Sequence, residues 1–212
     1  MKETVIEMCP LCNNSSEPFH NEEFFLCNTC YGIFRPKRFY LSPSKEKLRY
    51  EQHNNDVNDK RYQQFVSPIT TAVLKEWSST DIGLDFGAGT GPVISKILNE
   101  YHYAIYQYDP FFHDHPSLLK NKYDYIVCCE TIEHFHHPKK EFGLLKKILR
   151  PKGILYCMTH IYNYDIPFAD WYYRKDPTHV FIYQKETCEW ISDQFDFHQM
   201  TIYGRLIRFV NR

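Results

Sequence analysis

A glycine-rich turn between two apolar segments constrains the fold of this 212-residue chain more than any other feature. The apolar run Ile82–Phe86 predicts a buried strand, and a loop with three glycines, 87–91, follows it directly. Pro92 then opens a predicted helix, and residues 104–109 predict a second strand that ends in an aspartate. This order predicts an α/β sheet with a nucleotide-type pocket at the carboxyl ends of its strands.

The glycine loop is suited to close contact with a ligand, because a residue without a Cβ lets the main chain approach it. We expect the amide groups of this loop to face the ligand. Asp109 ends the second strand, where a carboxylate can accept hydrogen bonds from both hydroxyls of a ribose. The dinucleotide fingerprint Gly-x-Gly-x-x-Gly fails at Pro92, and no Lys-Ser/Thr pair follows, which excludes a P-loop.

Four collinear segments resemble the class I S-adenosylmethionine-dependent methyltransferases over roughly residues 60–212. They are the run Asp85-Phe-Gly-Ala-Gly-Thr-Gly91, Asp109, the strand and loop at 123–135, and the turn and strand at 149–156. The resemblance implies an α/β fold, a Rossmann-like class I methyltransferase sheet with helices on both faces, and S-adenosylmethionine as cofactor. The cofactor-binding residues it implies are Asp85, Gly87, Ala88, Gly89, Gly91, Asp109, Pro110, Phe111 and Glu130.

One part of the chain departs from that family. Only 14 residues separate Asp109 from Asp124, where the family fits a helix, a third strand and an acidic residue near adenine. We therefore expect the third-strand region to be shortened, with Phe111, Phe112 and Asp114 as candidates for contact with adenine.

Four cysteines precede this domain as two Cys-x-x-Cys pairs, Cys9–Cys12 and Cys27–Cys30, with 14 residues between the pairs. Such pairs can place four thiolates around one Zn²⁺, and four protein ligands leave no open coordination position for catalysis. The spacing predicts a structural zinc ribbon. A ribbon that also recognises a substrate or partner is the alternative, and redox chemistry is disfavoured because no βαβ pattern surrounds the pairs.

The predicted domain organisation has three parts. A zinc ribbon occupies residues 1–40, and a methyltransferase domain that binds S-adenosylmethionine occupies 61–212. The polar and aromatic segment 41–60 between them is a linker that forms either a surface loop or a cover for the pocket. The residues that favour a cover are Tyr50, His53, Asn54 and Asn55.

Candidate residues for the methyl acceptor follow the predicted strands in the segments 123–135 and 149–156. Parallel sheets build their sites at the carboxyl ends of such strands. His134 and His160 follow these strands, and His179 lies in a loop near several aromatic residues. His179 is the first candidate for a polar contact with the acceptor, and its alternative role is to hydrogen-bond the backbone of its own loop.

The run Glu130-x-x-Glu133-His134 resembles the metal-binding run of ubiquinone-biosynthesis O-methyltransferases. Two carboxylates and an imidazole could hold Mg²⁺, which would lower the pKa of an acceptor hydroxyl. Many relatives carry a similar ending without a metal, where it orders the loop. We therefore take Glu130, Glu133 and His134 as catalytic candidates with or without Mg²⁺.

The sequence favours oxygen of a small molecule as the acceptor. The Asn/Asp-Pro-Pro-Tyr/Phe run of many amino-group methyltransferases and the Pro-Cys nucleophile of cytosine C5 methylation are both absent. An rRNA or tRNA methyltransferase that uses its zinc ribbon on RNA is the second hypothesis, and a non-catalytic S-adenosylmethionine-binding module is the third.

Charge and hydropathy indicate which classes of partner the chain is suited to bind. The net charge is −1, which gives no chain-wide basic field for nucleic acid, although basic residues exceed acidic ones between Arg35 and Arg61. No apolar run approaches the ~20 residues of a membrane helix, and the first residues lack the apolar core of a secretory signal. We expect a cytoplasmic protein without membrane contact, whose eight cysteines are metal ligands or buried thiols.

Overall fold

The computed structural model describes residues 6–53 and 55–212. Their strands form two sheets, one of five strands and one of six. In chain order the strands are β1 (Glu7–Met8), β2 (Ser15–His20), β3 (Phe24–Leu26), β4 (Ile33–Phe34), β5 (Ile82–Phe86), β6 (Ala104–Tyr108), β7 (Tyr123–Cys129), β8 (Leu149–Met158), β9 (Phe181–Ile182), β10 (Phe197–Tyr203) and β11 (Leu206–Asn211).

The helices of the described residues connect the strands of the large sheet or precede it. They are α1 (Pro43–Glu51), α2 (Lys60–Phe65), α3 (Ser67–Glu76), α4 (Val93–Glu100), α5 (Pro138–Ile148) and α6 (Lys185–Gln194). Short 3-10 helices occur at Lys37–Phe39, Pro116–Lys120, Ile132–His134 and Tyr172–Lys175.

The large sheet has the order β10-β11-β8-β7-β5-β6. β6, β5, β7 and β8 are parallel, whereas β11 is antiparallel to β8 and β10 is antiparallel to β11. The carboxyl ends of the four parallel strands therefore meet at one edge, where loops can combine their side chains into a site.

Helices cover both faces of this sheet, because successive strand residues point to opposite sides. On one face Leu84 and Ile126 belong to a core with Phe142 of α5. On the other face Tyr125 and Val127 lie in a core with Val73 of α3 and Leu98 of α4. The sequence prediction of a Rossmann-like sheet with helices on both faces is confirmed.

The shortened third-strand region is confirmed as well. β6 is the edge strand, and only the 3-10 helix Pro116–Lys120 lies between it and β7 in the described chain. An isolated bridge between Asp109 and His113 folds the start of this connection back on itself.

The small sheet joins the cysteine-bearing segment to the rest of the protein. Its order is β1-β2-β3-β4-β9, so its last strand comes from a loop of the large domain. Ile33 pairs with Ile182 and Phe34 with Phe181 in antiparallel register. The cysteine-bearing segment therefore packs, through β4, directly on the segment that follows His179.

The predicted linker, residues 41–60, contains α1 and the first residue of α2. Asn54 lies outside the described residues. One predicted helix start differs by one residue, since Pro92 is the N-cap of α4 rather than its first residue. Within the described residues, no helix has the length and apolar character needed to cross a membrane.

Candidate active site

A cavity of about 950 Å³ opens at the carboxyl edge of the large sheet. Gly87, Ala88, Gly89 and Asp109 line one part of it. Three histidines line another part: His134, His160 and His179. The predicted cofactor side and the predicted acceptor side thus share one continuous space.

The glycine loop is tightly turned where it meets this cavity. Gly87 and Gly89 have φ angles of +80° and +62°, a region that favours glycine, and a Cβ on Gly87 would lie 2.3 Å from the side chain of Thr131. The amides of Gly87 and Ala88 both donate to the carbonyl of Tyr108, at 2.8 and 3.2 Å. These two amides therefore do not face the ligand as expected of the loop, because the end of β6 already uses them.

Asp109 is held rigidly beside the loop and is 8% exposed. Its Oδ2 accepts from the amide of Gly89 at 3.1 Å, and its Oδ1 accepts from the amides of Phe111 and Phe112 at 2.8 and 3.2 Å. Each carboxylate oxygen has more than one acceptor direction, so the group can also bind hydroxyls in the cavity.

Two predicted cofactor residues lie behind the cavity wall instead of lining it. Asp85 is 4% exposed, and its Oδ2 accepts from the Ser95 hydroxyl at 2.7 Å, while burial raises the pKa of Asp85 to about 6. Gly91 lies under the main chain of Asn55, whose carbonyl oxygen would be 1.9 Å from an added Cβ. These two residues support the loop without reaching the cavity.

The candidates for adenine contact divide into two groups. Phe111 and Phe112 line the cavity next to Asp109, as does the predicted cofactor residue Pro110. Asp114 is exposed and is not among the lining residues.

On the acceptor side, His134 and His179 are fixed by backbone carbonyls. Nδ1 of His134 lies 2.9 Å from the carbonyl of Thr178, and Nδ1 of His179 lies 2.7 Å from the carbonyl of Tyr173. Burial lowers the pKa of His179 to about 4, so this imidazole is neutral at physiological pH. His179 therefore makes the expected contact with a backbone carbonyl and also lines the cavity.

Glu130 is the partly buried carboxylate that directly follows β7, with a φ of +46°. Its Oε1 lies 3.6 Å from the guanidinium of Arg205, which also stacks 4.1 Å from the ring of Phe65. Burial raises the pKa of Glu130 to about 8, with a further increase from Glu133 and an opposing effect of Arg205. His160 lies nearby and contacts the hydroxyl of Tyr172 at 2.9 Å.

The predicted Mg²⁺ set of Glu130, Glu133 and His134 does not converge. Among the residues that the structure describes, the group close enough to share an ion near the cavity is Glu133, His134 and His179. Glu130 turns toward Arg205 instead. His179 reaches this group from a distant loop, whereas the sequence spacing suggested Glu130 as the third member.

Comparison with known proteins assigns the family. Residues 58–201 match the family described as a methyltransferase domain. The chain belongs to this family. The predicted methyltransferase domain is thereby confirmed, and no curated protein sequence matches the chain.

Solved structures share the fold of this methyltransferase domain. An O-methyltransferase family protein from Burkholderia thailandensis is 14% identical, with a TM-score of 0.50 over 79% of this chain and 66% of that one. A protein from Nostoc punctiforme PCC 73102, provisionally assigned as an O-methyltransferase, is 15% identical, with a TM-score of 0.54 over 70% of this chain and 56% of that one. The chain thus spans less than two thirds of either protein.

PigF with SAH (S-adenosylhomocysteine) is a third structure with this fold. It is 12% identical, with a TM-score of 0.50 over 79% of this chain and 68% of that one. At such low identities the likeness concerns the fold.

Several lining residues of the methyltransferase domain come from the segment before it. Glu46 and Tyr50 lie on α1, and His53 and Asn55 follow it. The Tyr50 hydroxyl donates to Glu46 at 2.6 Å, and its ring lies 5.2 Å from that of His134. Sequence analysis missed Glu46, although its spacing of four and seven residues from Tyr50 and His53 is a helical signal.

The four paired cysteines also come together. Sγ of Cys9 lies 3.4 Å from Sγ of Cys30, Sγ of Cys12 lies 3.3 Å from Sγ of Cys27, and all four sulfurs are within 4.8 Å of one another. A tetrahedral zinc with bonds of about 2.3 Å would place its sulfurs about 3.8 Å apart. The cluster therefore fits a Cys₄ zinc ion.

Proposed function

We propose that this protein is an S-adenosylmethionine-dependent methyltransferase that methylates an oxygen atom of a small molecule. The observation that carries the proposal is the single 950 Å³ cavity that joins the glycine loop and Asp109 to three histidines. A cavity of this size can hold a donor and a small acceptor side by side. Membership of the methyltransferase-domain family supports the same conclusion.

The donor would occupy the part of the cavity at the glycine loop. Asp109 can accept from the ribose hydroxyls, and Phe111 and Phe112 offer aromatic surface for the adenine. The carboxylate of Asp109 gives this region negative charge, which suits a ligand that carries a sulfonium and an ammonium group.

Methyl transfer is an in-line displacement that the chain would promote by alignment and by exclusion of water. The acceptor oxygen forms a bond to the methyl carbon while the carbon–sulfur bond breaks, and the electron pair stays on sulfur. The hydroxyl proton must leave the oxygen. His134 and His179 line this end of the cavity, where they can contact the hydroxyl that loses the proton.

The comparison of basic residues favours a small acceptor over RNA. In the basic stretch from Arg35 to Arg61, Arg38 pairs with Glu7, Arg49 with Asp176, and Arg61 with Asp59. Arg35 donates to the carbonyl of Arg174. Protein groups therefore already use the arginine charges of this stretch, whereas its lysines are exposed, so the argument against RNA is mainly the net charge of −1.

We further propose that Cys9, Cys12, Cys27 and Cys30 bind one structural Zn²⁺, with no open position for a substrate. Its role would be to hold β1 to β4 together and, through the pairing of β4 with β9, to support the loop that carries His179.

Calorimetry with S-adenosylmethionine tests the donor site. Asp109→Asn should weaken binding about 10- to 100-fold, because hydrogen bonds to a charged carboxylate contribute about 1.5–3 kcal/mol. The matched control is Asp114→Asn on the same connection, which should bind like the unmodified protein. Equal affinity of both variants, or no binding at all, would exclude the proposed donor site.

Release of S-adenosylhomocysteine across a panel of small alcohols and phenols tests catalysis. Tight donor binding without turnover on any acceptor would instead favour the non-catalytic binding module. Binding of structured RNA with a steep dependence on salt would favour the RNA methyltransferase.

A further inference from the structure

Glu133, His134 and His179 lie close together at the acceptor end of the cavity, where the two histidines line the cavity and Glu133 is fully buried. One ligand atom each from Glu133, His134 and His179 lies within 4.8 Å of the other two. The two imidazole rings are 4.9 Å apart between centroids. Ligand atoms of one metal ion lie about 3–4 Å apart, so only a small inward rotation separates this cluster from a metal site.

Both imidazoles are held in the tautomer that a metal ion requires. The carbonyl oxygens of Thr178 and Tyr173 can only accept hydrogen bonds, so Nδ1 of each histidine carries the proton. Nε2 of each neutral ring then keeps its lone pair for another partner. A backbone carbonyl on the second nitrogen is the usual support of a metal-binding histidine.

Glu133 gives an independent indication of a missing cation. Its side chain is 0% exposed, and its Oε1 accepts from the hydroxyl of Tyr173. Its Oε2 is buried without a hydrogen-bond partner among residues 6–53 and 55–212. In that part of the chain no Lys or Arg pairs with Glu133 either, since the nearby Arg205 pairs with Glu130. A buried carboxylate oxygen without a partner is costly, and a cation beside it would remove that cost.

We propose that Glu133, His134 and His179 together bind one divalent transition-metal ion that holds the acceptor hydroxyl. This inference rests on the proposed function, because it concerns the acceptor end of the same cavity. It replaces the Mg²⁺ set predicted from the sequence, since His179 takes the place of Glu130.

The donor set indicates which ions fit. Two imidazole nitrogens and one carboxylate oxygen suit Mn²⁺, Fe²⁺, Co²⁺ or Zn²⁺ better than Mg²⁺, which prefers oxygen ligands. Three protein ligands leave open positions, and an ion held there lowers the pKa of a hydroxyl that it coordinates. The acceptor class is therefore an alcohol or phenol whose oxygen reaches the centre of this cluster.

Uptake of Mn²⁺ by protein that carries one equivalent of zinc, enough for the cysteine cluster alone, tests the site without any assay of activity. Mn²⁺ binds thiolates poorly, so the cysteine cluster would not compete for it. Electron paramagnetic resonance measures the loss of the free Mn²⁺ signal, and we expect one ion per chain. His134→Ala, His179→Ala and Glu133→Gln should each weaken uptake at least about tenfold.

His160→Ala is the matched control, because His160 lines the same cavity outside the cluster. It should take up Mn²⁺ like the unmodified protein, and Glu130→Gln should do the same. No uptake by the unmodified protein at millimolar Mn²⁺ would overturn the proposal, as would uptake that survives in all three cluster variants or is lost with His160 or Glu130.

Calorimetry with S-adenosylmethionine on the same samples separates the two proposals. Donor binding without Mn²⁺ uptake rejects the metal site and leaves the methyltransferase. Absence of donor binding rejects the methyltransferase, whatever Mn²⁺ does. Cluster variants that keep donor affinity are folded, so their loss of Mn²⁺ counts as support.

Discussion

Arg49 of α1 donates two hydrogen bonds to the carboxylate of Asp176, although 127 residues separate them in the chain. Nε and Nη2 of Arg49 lie 3.1 and 2.7 Å from the same oxygen, Oδ2. The other oxygen of Asp176 accepts from the amide and hydroxyl of Thr178, whose carbonyl contacts His134. This ion pair therefore ties the helix that covers the cavity to the loop that carries His179.

Arg49→Ala should loosen that cover. The pair is partly exposed, so its loss should lower the free energy of unfolding by only about 1 kcal/mol. We expect the KM for the acceptor to rise about fivefold or more, because α1 then holds the acceptor end of the cavity less firmly in place. Steady-state kinetics checks this, with Lys45→Ala on the exposed face of α1 as the control. A change confined to donor affinity would contradict this role.

Removal of zinc should act on the acceptor side of the domain before the donor side. Without the metal, β1 to β4 lose the ion expected to supply most of their folding energy, and β4 is the partner of β9. Hydrogen exchange at Val180–Ile182 should become much faster after chelation or in Cys27→Ser, whereas β5 and β7 should stay protected. Mass spectrometry of exchanged peptides measures both regions. Protection at 180–182 that is unchanged after zinc loss would show that the ribbon does not support this loop.

Gly91→Ala should displace the main chain of Asn55, which lies in the segment over the cavity. The added Cβ would lie 1.9 Å from the carbonyl oxygen of Asn55, so this backbone would have to move away from the glycine loop. We expect a loss of about 1–3 kcal/mol in stability, as for overpacked sites, and weaker donor binding. Gly143→Ala is the control: it lies within α5 with its nearest contact at 3.7 Å, and it should stabilise the protein by about 0.5–1 kcal/mol. Thermal unfolding that ranks the two variants in the opposite order would reject this account.

Asp85 predicts a specific dependence of stability on pH. Burial raises its pKa from 3.8 to about 6 in the folded protein. Between these values the folded protein keeps a proton that the unfolded chain has lost, so the contribution of Asp85 falls as the pH rises from about 4 to about 6. Asp85→Asn cannot ionise and keeps an oxygen for the Ser95 hydroxyl.

Relative to the unmodified protein, Asp85→Asn should therefore gain on the order of 3 kcal/mol between pH 4 and pH 7. Urea unfolding of both proteins without ligand at several pH values measures this gap, which is the difference between their free energies of unfolding. A gap that stays constant with pH would mean that the carboxylate of Asp85 ionises as easily in the fold as outside it.

The elements of the large sheet were predictable because each one carries a local signal. Ile82–Phe86 is an apolar run of strand length, and the segment after Pro92 repeats apolar residues at helical spacing. The positive φ angles of Gly87 and Gly89 agree with residues that have no Cβ. The direction of the loop amides was not predictable, since it depends on the carbonyl of Tyr108 on the neighbouring strand.

The acceptor end was only partly predictable. His134 and Glu133 are neighbours in the chain, so their common location followed from the sequence. His179 joins them through contacts with Tyr173 and through the pairing of β9 with β4. Glu46 enters the cavity because α1 folds over it, and no local pattern in the sequence states what that helix covers.

The sequence by itself determined the α/β class, the glycine loop with Asp109, and the two Cys-x-x-Cys pairs. These features depend on residue type and on spacing over a few positions. The tertiary structure alone decided that the cysteine ribbon shares a sheet with the loop of His179, and that Glu130 leaves the histidine cluster for Arg205. Contacts between residues distant in the chain are set by how whole elements pack, and such packing has no short-range pattern in the sequence.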